Sequence, residues 1–479
     1  MKKIEPLLVN GKACDYIEVT QPWDKQAIAC VGVVDSDTAL DALDVAHKTF
    51  CDKSAWLPRA QRIEILERVC SLLDKRKDEL ATQAAAEGGK PLIDSKVELD
   101  RAVLSLQSCI DYLRSSEADG RRITMDVNAA SQGHLAFTIK EPRGAVVAFS
   151  AFNHPVNLIA HQIGPAIATG CPVIVKPAET TPLSCFALVE LFYEAGLPQA
   201  YCQALLTSDH QISNELISDP RMSFFSFIGS AKVGWSLRSK LPAGAGCALE
   251  HGGAAPVIIM DDADLDDNLP RLAKGGFYHA GQVCVSVQRV YAHSSIADKV
   301  ATRLAELGQK MKIGDPTEAD TEVGPLIKRG EVDRVDQWVQ SAVADGAQLV
   351  SGGKRFSDTA YQCTVLLNPS DTAKVSCEEL FGPVVCVYAF DDVDDALRRA
   401  NTLPFSFQAA VITRDMDNAW YCAKHLNATA VMINEHTAFR VDWMPFYGCM
   451  HSGYGTGGIP YTIEDMQLEK MLVMRYKHL

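Results

Sequence analysis

The sequence predicts an α/β protein with two α/β regions and a small β extension. Three observations lead to this prediction: strands and helices alternate from residue 144 onward, a second strand-rich region follows Gly253, and residues 121–141 are rich in β-forming side chains. Alternating strands and helices are typical of a doubly wound parallel sheet, which binds ligands beyond the carboxyl ends of its strands. At 479 residues the chain is too long for one core, so two or three domains are expected.

The elements before residue 144 are of two kinds. Apolar side chains recur at helical spacing after Trp56, which predicts an amphipathic helix. These side chains are Ile63, Leu66, Val69 and Leu73. Two β-rich stretches, 122–127 and 135–139, are joined by a turn-forming segment at 128–133, and this pattern predicts a β-hairpin.

Short apolar runs predict the strands of the first parallel sheet, at 145–149, 173–175, 202–206, 224–228 and 247–250. Two helices are predicted between the first three of them. One covers 156–168 and stops near Gly170. The other covers 182–195, with Thr181 as its N-cap and Gly196 as its stop.

A second α/β region is predicted after Gly253. Its strands are expected at 256–260, 384–388 and 409–413, and the chain is expected to close with a strand at 471–476. The sequence shows neither internal repeats nor a low-complexity linker, so solenoid and array folds are excluded.

The composition excludes several classes of partner. The net charge of −14 and the pI of about 5.4 argue against nucleic acid or an anionic membrane as the main partner. We expect no signal peptide, because the N-terminal segment has no apolar core, and no run is long enough to span a bilayer. The 15 cysteines are scattered, without a CxxC pair or metal-ligand spacing. We therefore expect reduced thiols, a cytoplasmic location and no metal centre.

Cys284 is the candidate nucleophile. It follows the small residues Ala280 and Gly281, and Glu250 lies 34 residues upstream. A thiol can attack a carbonyl carbon, and a carboxylate can activate the water that later releases the product. For a single cysteine the ordinary interpretation is an inert core thiol, and for Glu250 alone a structural role is equally acceptable.

Asn153 is the candidate oxyanion donor, because it follows the first strand of the alternating region. Its side-chain amide can donate to a developing oxyanion together with the backbone N–H of Cys284, and one such donor is worth about 3 kcal/mol in a transition state. The competing interpretation is a turn-forming Asn before Pro155.

The candidate cofactor residues lie after three strands. No GxGxxG follows the first strand, but the 224–228 strand leads through Gly229 to a helix that begins at Ser230, whose N-terminus favours a pyrophosphate. Lys176 can bond an adenosine ribose hydroxyl, and Glu179 can accept from the 2′- or 3′-hydroxyl. A carboxylate there repels a 2′-phosphate and favours NAD over NADP. The alternatives are a plain capped helix and a surface Lys/Glu pair.

Taken in order, these segments resemble the NAD(P)-dependent aldehyde dehydrogenase superfamily over nearly the whole chain. The matching segments are 152–155, 176–179, 229–230, 250–253, 281–284, 378–383 and 445–446. No single motif is specific, but the ordered set is. Within the superfamily the chain resembles the lactaldehyde, glyceraldehyde-3-phosphate and phosphonoacetaldehyde dehydrogenase branch.

The resemblance implies an aldehyde dehydrogenase-like fold and a role for each site residue. It implies a Rossmann-like NAD(P)-binding domain at 1–120 and 143–251, an α/β catalytic domain at 252–452, and a small β oligomerisation domain at 121–142 and 453–479. It implies that Cys284 forms a thiohemiacetal and a thioester, that Asn153 holds the oxyanion and that Glu250 activates water. The implied cofactor contacts are Phe152, Lys176, Glu179, Gly229, Ser230, Glu379 and Phe381. A homodimer or homotetramer is also implied.

The implied substrate-binding residues are polar. They are Arg101, His154, His161 and Arg440, together with Val283 and Val285 on either side of the nucleophile. Such a lining suits a small polar or anionic aldehyde, since arginine is the natural bidentate partner of carboxylate, phosphonate and phosphate. Val283 stands where some anion-specific members have Arg. The competing interpretation pairs Arg440 with Asp442 or Glu435, and Arg101 with a helix carboxylate.

Two other functions remain open from sequence alone. In a CoA-acylating aldehyde dehydrogenase, CoA rather than water would take the acyl group, and Glu250 argues for water. A non-catalytic binding protein on the same fold is the second alternative, against which the intact Cys284, Glu250 and Asn153 argue.

Overall fold

A computed structural model describes residues 2–476, and its two largest sheets are mainly parallel and packed against helices. This arrangement confirms the predicted α/β class. The α-helices are Ser36–Cys51, Arg59–Lys75, Lys77–Gly88, Leu92–Arg114, Asn157–Thr169, Pro182–Glu194, His210–Ser218, Ala231–Arg238, Leu265–Phe277, Ala297–Lys310, Arg329–Ala344, Lys374–Cys377, Val393–Ala400, Met416–His425 and Ile459–Asp465. None of these helices in residues 2–476 is long and apolar enough to cross a membrane.

The first large sheet has six strands. In spatial order they are Gly453–Tyr454, Gly246–Glu250, Met222–Ile228, Ala145–Phe149, Val173–Lys176 and Cys202–Ala204, and only the first runs antiparallel. Ala145–Phe149 is buried along its whole length, as expected for a strand covered on both faces. The register sets Phe149 beside Lys176 and Phe227, and Ile228 beside Glu250. The carboxyl ends of four strands therefore meet at one edge.

The second large sheet has seven strands. In spatial order they are Gln348–Ser351, Thr364–Leu367, Val384–Phe390, Val287–His293, Ala255–Ile259, Gln408–Ile412 and Ala430–Ile433. All neighbours are parallel except the first pair. Valine, isoleucine and alanine fill its buried positions, and the helix Leu265–Phe277 packs its apolar face on this core.

Three smaller sheets complete the fold. Lys3–Ile4, Asp15–Thr20, Ala27–Val34 and Leu206–Thr207 form one, and Phe405–Ser406 with Cys449–Met450 forms another. The third joins Arg122–Ile123, His134–Pro142 and Gln467–Arg475 in antiparallel pairs. The predicted hairpin is therefore present, and the last strand lies along its second arm.

Three predicted elements differ from the observed ones. The first hairpin arm ends at Ile123 rather than at 127, and Asp126 has a φ of 62°, which interrupts an extended strand. The predicted strand 202–206 is two strands in two sheets, because Ala204 bonds to Leu7 of the N-terminal segment. The last strand begins at Gln467 and ends at Arg475, inside the described residues.

The predicted cap of the helix Pro182–Glu194 is also wrong. Thr181 stands at the N-cap position, but its side chain makes no capping hydrogen bond. The carboxylate of Glu87, from the end of another helix, accepts instead from the backbone N–H groups of Leu183 and Ser184, both at 2.8 Å. A distant carboxylate thus satisfies the free donors of this helix end.

Candidate active site

The carboxyl ends of the first large sheet open into a cavity of about 870 Å³. The segments around Cys284 and Glu379, which precede two strands of the second sheet, contribute to its lining, as does the segment around Arg440, which follows the strand Ala430–Ile433. The cavity brings together most of the residues that the sequence singled out: Arg101, Phe152, Asn153, His154, Lys176, Gly229, Ser230, Glu250, Val283, Cys284, Val285, Glu379, Phe381 and Arg440. Two predicted residues, Glu179 and His161, are not part of this lining.

An unusual backbone holds Cys284. His279, Ala280 and Gly281 have φ angles of 51°, 52° and 70°, three consecutive left-handed residues before the nucleophile. A Cβ on Gly281 would lie 2.2 Å from the carbonyl oxygen of Gly382, so only glycine fits there. The Gln282 side chain donates to the carbonyls of His279 and Pro325 and accepts from the N–H of Ile327. The loop therefore presents Cys284 to the cavity in one fixed position.

Cys284 and Glu250 face each other across the cavity. The thiol Sγ donates to Oε1 of Glu250 at 3.8 Å. Burial, and next the neighbouring carboxylate, raise the pKa of the Cys284 thiol well above its usual value. Burial also raises the pKa of Glu250. The resting pair is a protonated thiol beside a carboxyl group placed to accept its proton.

Asn153 adjoins this pair. Its Nδ2 donates to the backbone carbonyl of Gln282 at 3.0 Å, which joins the Asn153 loop to the Cys284 loop. An amide nitrogen carries two N–H groups, so the second remains for an oxygen in the cavity. The backbone carbonyl of Asn153 accepts from Lys90 at 3.3 Å. The position of Asn153 is thus determined from both sides.

Lys90 and Glu98 form a buried ion pair behind Asn153 that the sequence did not indicate. Each side chain is 1% exposed. Glu98 also accepts from the N–H groups of Val156 and Asn157 at 2.8 and 2.9 Å, at the start of the helix Asn157–Thr169. Both members come from the region before the alternating elements, so only the tertiary fold brings them to the site.

One end of the cavity lies at the helix Ala231–Arg238. Gly229 and Ser230 precede it, and the Ser230 side chain makes no capping bond, so the first N–H groups of the helix stay available. Lys176 lines this end of the cavity, and Glu179 is exposed in the turn that follows the Lys176 strand. Burial lowers the pKa of Lys176, and the charge of Glu179 opposes that shift.

A second part of the cavity is lined by Glu379, Phe381 and Phe152. Burial raises the pKa of the Glu379 carboxyl to about 7. A Cβ on Gly252 would lie 1.6 Å from Oε1 of Glu379, so this glycine makes room for the carboxylate. The Phe152 and Phe381 rings meet edge to face at 6.0 Å. A carboxylate beside two aromatic rings can hold a ribose and limit the position of a flat ring.

Other lining residues were missed by the sequence analysis. They are polar or charged side chains from elements that carry no motif, and they include His210, Asn214, Lys240, Glu331 and Arg334. The Nη1 of Arg334 is buried without a hydrogen-bond partner among the described residues. A helix surface such as Arg329–Ala344 carries no local pattern that would separate a cavity residue from a solvent-exposed one.

The substrate half of the cavity contains two arginines with different partners. Arg101 donates through Nε and Nη2 to both carboxylate oxygens of Asp442, at 3.1 and 2.7 Å. Arg440 makes no hydrogen bond to Asp442, and the closest approach, from Nε to Oδ1, is 4.0 Å. Its guanidinium lies 3.6 Å from the centre of the Phe446 ring, and its Nε has no partner in residues 2–476.

The expected alternatives for these arginines are therefore only partly correct. Arg440 lies at ion-pair distance from Asp442, 4.0 Å from Nε to Oδ1, without a hydrogen bond to it, and Glu435 bonds Arg271 instead. Arg101 does pair with a carboxylate, but that of a loop residue rather than a helix residue.

His161 lies behind this site rather than in it. Its Nε2 bonds Asp442 at 2.8 Å and its Nδ1 lies 3.4 Å from Nη2 of Arg440. Burial lowers the pKa of His161 to about 4 and that of His154 well below its usual value, so both rings are neutral. No group of three or more His, Cys, Asp and Glu side chains in residues 2–476 is arranged to hold a metal ion.

Comparison with known proteins agrees with this geometry. The aldehyde dehydrogenase family profile matches residues 8–472. A 3-sulfolactaldehyde dehydrogenase of Priestia aryabhattai is 35% identical over 98% of this chain and 97% of its own length. A lactaldehyde dehydrogenase of Methanococcus aeolicus is 32% identical over 98% of this chain and all of its own. The crystal structure of a Physcomitrella patens aldehyde dehydrogenase with the product succinate superimposes with a TM-score of 0.94, at 32% identity, covering 100% and 99% of the two chains.

The chain belongs to the aldehyde dehydrogenase family. It is an oxidoreductase that uses a nicotinamide dinucleotide to oxidise an aldehyde to the carboxylic acid.

Proposed function

We propose that the enzyme oxidises a small anionic aldehyde, with Cys284 as nucleophile, Glu250 as general base and Arg440 as the group that binds the anion. One observation carries this proposal: the Arg440 guanidinium, 9% exposed, lines the same cavity as Cys284 and has no carboxylate in hydrogen-bond contact. A buried cation whose nearest Asp442 oxygen is 4.0 Å away is incompletely paired, which is costly. An anionic substrate would supply a carboxylate or sulfonate in direct hydrogen-bond contact.

The residues suggest an order of events. Glu250 accepts the thiol proton, and the Cys284 sulfur attacks the carbonyl carbon to give a thiohemiacetal. The second N–H of Asn153 and the backbone N–H of Cys284 donate to the oxyanion. A nicotinamide bound in the cavity would supply the hydride acceptor, and loss of hydride from the thiohemiacetal carbon would leave a thioester on Cys284. Glu250 releases the thiol proton to solvent and then takes a proton from water, whose oxygen attacks the thioester carbon. The acid leaves as the C–S bond breaks, and the Cys284 thiolate recovers a proton from Glu250.

The cofactor half of the cavity fits a dinucleotide. We propose that Lys176 bonds the adenosine ribose, that Gly229 and Ser230 face the pyrophosphate, and that Glu379 bonds the second ribose. NAD is the proposed preference, because Glu179 adds a negative charge next to Lys176 that disfavours a 2′-phosphate. Two similar crystal structures hold NADP, so the ratio of kcat/KM with NAD to that with NADP is the test. A ratio below one would contradict the preference.

The relatives support a small polar substrate. Their names include 3-sulfolactaldehyde, lactaldehyde and succinate-semialdehyde dehydrogenases, and each of these aldehydes is short and polar or charged. A guanidinium recognises sulfonate and carboxylate by paired hydrogen bonds. We propose that this enzyme acts on an aldehyde that carries such a group.

The deciding experiment compares succinate semialdehyde with propanal. We expect Arg440→Met to lower kcat/KM for the anionic aldehyde roughly 30-fold more than for the neutral one. Arg414→Met is the matched control, since Arg414 is an exposed arginine paired with Asp264. An equal effect of Arg440→Met on both aldehydes would overturn the proposed role.

Product analysis with and without CoA tests the acyl acceptor. We expect the free acid to form whether or not CoA is present.

Two further proposals concern the whole protein. We propose a cytoplasmic homodimer or homotetramer, in keeping with an acidic chain of scattered reduced cysteines. The proposed association surface is the sheet that ends with the strand Gln467–Arg475.

A further inference from the structure

The two arginines of the substrate half differ in how their charge is balanced. Both line the cavity. Arg101 has two hydrogen bonds to the Asp442 carboxylate, so the pair is neutral as a unit. Arg440 has the nearest oxygen of that carboxylate at 4.0 Å, a contact of 3.4 Å from Nη2 to Nδ1 of His161, and a buried Nε with no hydrogen-bond partner among the described residues. Arg440 is therefore the less fully paired of the two guanidiniums.

Asp442 is already bonded to groups other than Arg440. Its side chain is 2% exposed, and besides Arg101 it accepts from Nδ2 of Asn157 at 3.1 Å and bonds Nε2 of His161 at 2.8 Å. Burial opposes its ionisation, but the hydrogen bonds from His161 and Arg101 and the charge of Arg101 hold its pKa well below the usual range. Asp442 therefore stays ionised, and its carboxylate is held in place by its hydrogen bonds to Arg101.

The other ionisable groups near Arg440 add no positive charge. Burial keeps His154 and His161 neutral, and it raises the pKa of the Tyr278 phenol, which stays protonated. Cys284 is a thiol in the resting state. Glu250 is either neutral or negatively charged. When charged it offsets part of the charge of Arg440, and it repels a substrate dianion more strongly than a monoanion. The substrate half therefore carries at most one positive charge.

We propose that Asp442 determines which anions the enzyme accepts: by neutralising Arg101, it leaves Arg440 as a single cation that selects aldehydes with one negative charge over those with a phosphate dianion. This inference rests on the proposed role of Arg440 in binding the anion. A carboxylate or sulfonate would be matched by one guanidinium, whereas a dianion would enter a low-dielectric site with one charge unpaired.

Removing the charge of Asp442 tests the proposal. At pH 8 succinate semialdehyde carries one negative charge, and glyceraldehyde 3-phosphate carries two on its phosphate. The measured quantity is the ratio of kcat/KM for these two aldehydes within each variant, which cancels any general loss of active enzyme. The wild type is expected to favour succinate semialdehyde, and Asp442→Asn is expected to shift the ratio about tenfold or more towards the phosphate, because Arg101 becomes a second free cation.

Two more variants keep the proposal testable even if Asp442→Asn does not fold. Arg101→Met leaves Asp442 without its cation beside Arg440, so kcat/KM for both anionic aldehydes should fall about tenfold or more relative to propanal. The double variant Arg101→Met/Asp442→Asn restores the charge balance, and its ratio should return to within about threefold of the wild type.

The outcomes separate this proposal from the proposed function. The role of Asp442 is overturned if Asp442→Asn leaves the ratio of kcat/KM for the two anionic aldehydes unchanged. It is also overturned if the double variant shifts this ratio as far as Asp442→Asn does. If Asp442→Asn is inactive with every aldehyde, an unchanged anion preference in Arg101→Met overturns it. A failure of the proposed function appears elsewhere, as an Arg440→Met variant whose preference for succinate semialdehyde over propanal equals that of the wild type.

Discussion

Cys284 and Glu250 each lie in surroundings that disfavour their charged form. The thiol has a pKa raised by burial and by the carboxylate, and the carboxyl has a pKa raised by burial. Raised values hold the proton until a substrate and a cofactor complete the site, and they bring a carboxylic acid closer to the pH at which a general base works. The distance of 3.8 Å between Sγ and Oε1 lets one proton pass between them without a large movement.

The pH dependence of the reaction follows from Glu250. A general base works only when it has lost its proton, so activity should rise as the pH increases through the raised pKa of Glu250 rather than through the value of an ordinary carboxyl. We expect steady-state kcat of the wild type to show this rise. In Glu250→Gln the rise should disappear together with most of the activity. The same pH rise in the Gln variant would assign it to another group.

The partners of individual side chains were the feature of the site that the sequence predicted least well. The ordered motifs were enough to predict that Cys284, Glu250 and Asn153 share one cavity. They could not separate Arg440 from Arg101, because the difference lies in Asp442, 341 residues from Arg101 along the chain. His161 was predicted to line the cavity and instead lies behind Arg440, since its ring is drawn to the same carboxylate.

Among the elements, the loop that carries Cys284 depends on one glycine. Gly281 has a φ of 70° and no space for a Cβ, because the carbonyl of Gly382 would lie 2.2 Å away. We expect Gly281→Ala to lower kcat/KM roughly a hundredfold by displacing the nucleophile. Gly330→Ala is the control, as its Cβ would meet no atom within 4 Å. Equal activity of the two variants would contradict this role of the loop backbone.

The helix Pro182–Glu194 shows how a cap can come from a distant element. Glu87 satisfies its first N–H groups, whereas the Thr181 hydroxyl is buried with no hydrogen-bond partner among residues 2–476. We expect Glu87→Ala to destabilise the fold by about 1–3 kcal/mol, because two buried donors lose their acceptor. Thr181→Val should be nearly neutral. Thermal unfolding of both variants checks this, and the opposite order would restore Thr181 as the cap.

Glu87 also makes stability depend on pH. Burial raises its pKa in the folded state from 4.5 to about 7. A carboxyl that holds its proton more tightly in the folded state contributes most below its unfolded pKa, and this contribution is lost as the pH rises through about 7. The Tm of the wild type should therefore fall relative to that of Glu87→Gln between pH 5 and pH 8. A constant difference across this range would mean that Glu87 does not titrate there.

Strands and helices were predicted best where neighbouring residues in the sequence determine their bounds. The strand Ala145–Phe149 has the predicted bounds because a continuous apolar run and flanking turn residues define it. The strand at 202–206 was misjudged because its split depends on pairing with the N-terminal segment, which no local window contains. The cap of Pro182–Glu194 was misjudged for the same reason.

At the scale of the whole molecule, the strand Gln467–Arg475 is the edge of a three-stranded sheet and exposes Leu468, Met471 and Val473 by 48–60%. A long edge strand with exposed apolar side chains tends to pair with another chain. The proposed partner is a second copy of this chain. The domain boundaries predicted around this sheet stay a prediction.

A charge on this strand should weaken the oligomer. We expect Met471→Lys/Val473→Lys to shift the mass in solution towards the monomer, because two lysines would have to be buried at the interface. Trp420→Lys is the control, since Trp420 is 67% exposed on the separate helix Met416–His425. Light scattering during gel filtration gives the mass. An unchanged mass for the double variant would place the interface elsewhere.

The central claim is that Cys284 carries the acyl group and that Glu250 supports its hydrolysis. The most direct measurement is the mass of Glu250→Gln after mixing with cofactor and succinate semialdehyde, with NADH recorded in the same reaction. We predict that NADH formation stops at about one equivalent per active site, that it is slower than in the wild type because Glu250 also accepts the thiol proton, and that a matching acyl mass is located on Cys284. Steady turnover by this variant at the wild-type rate, or an acyl group on any other residue, would contradict the account.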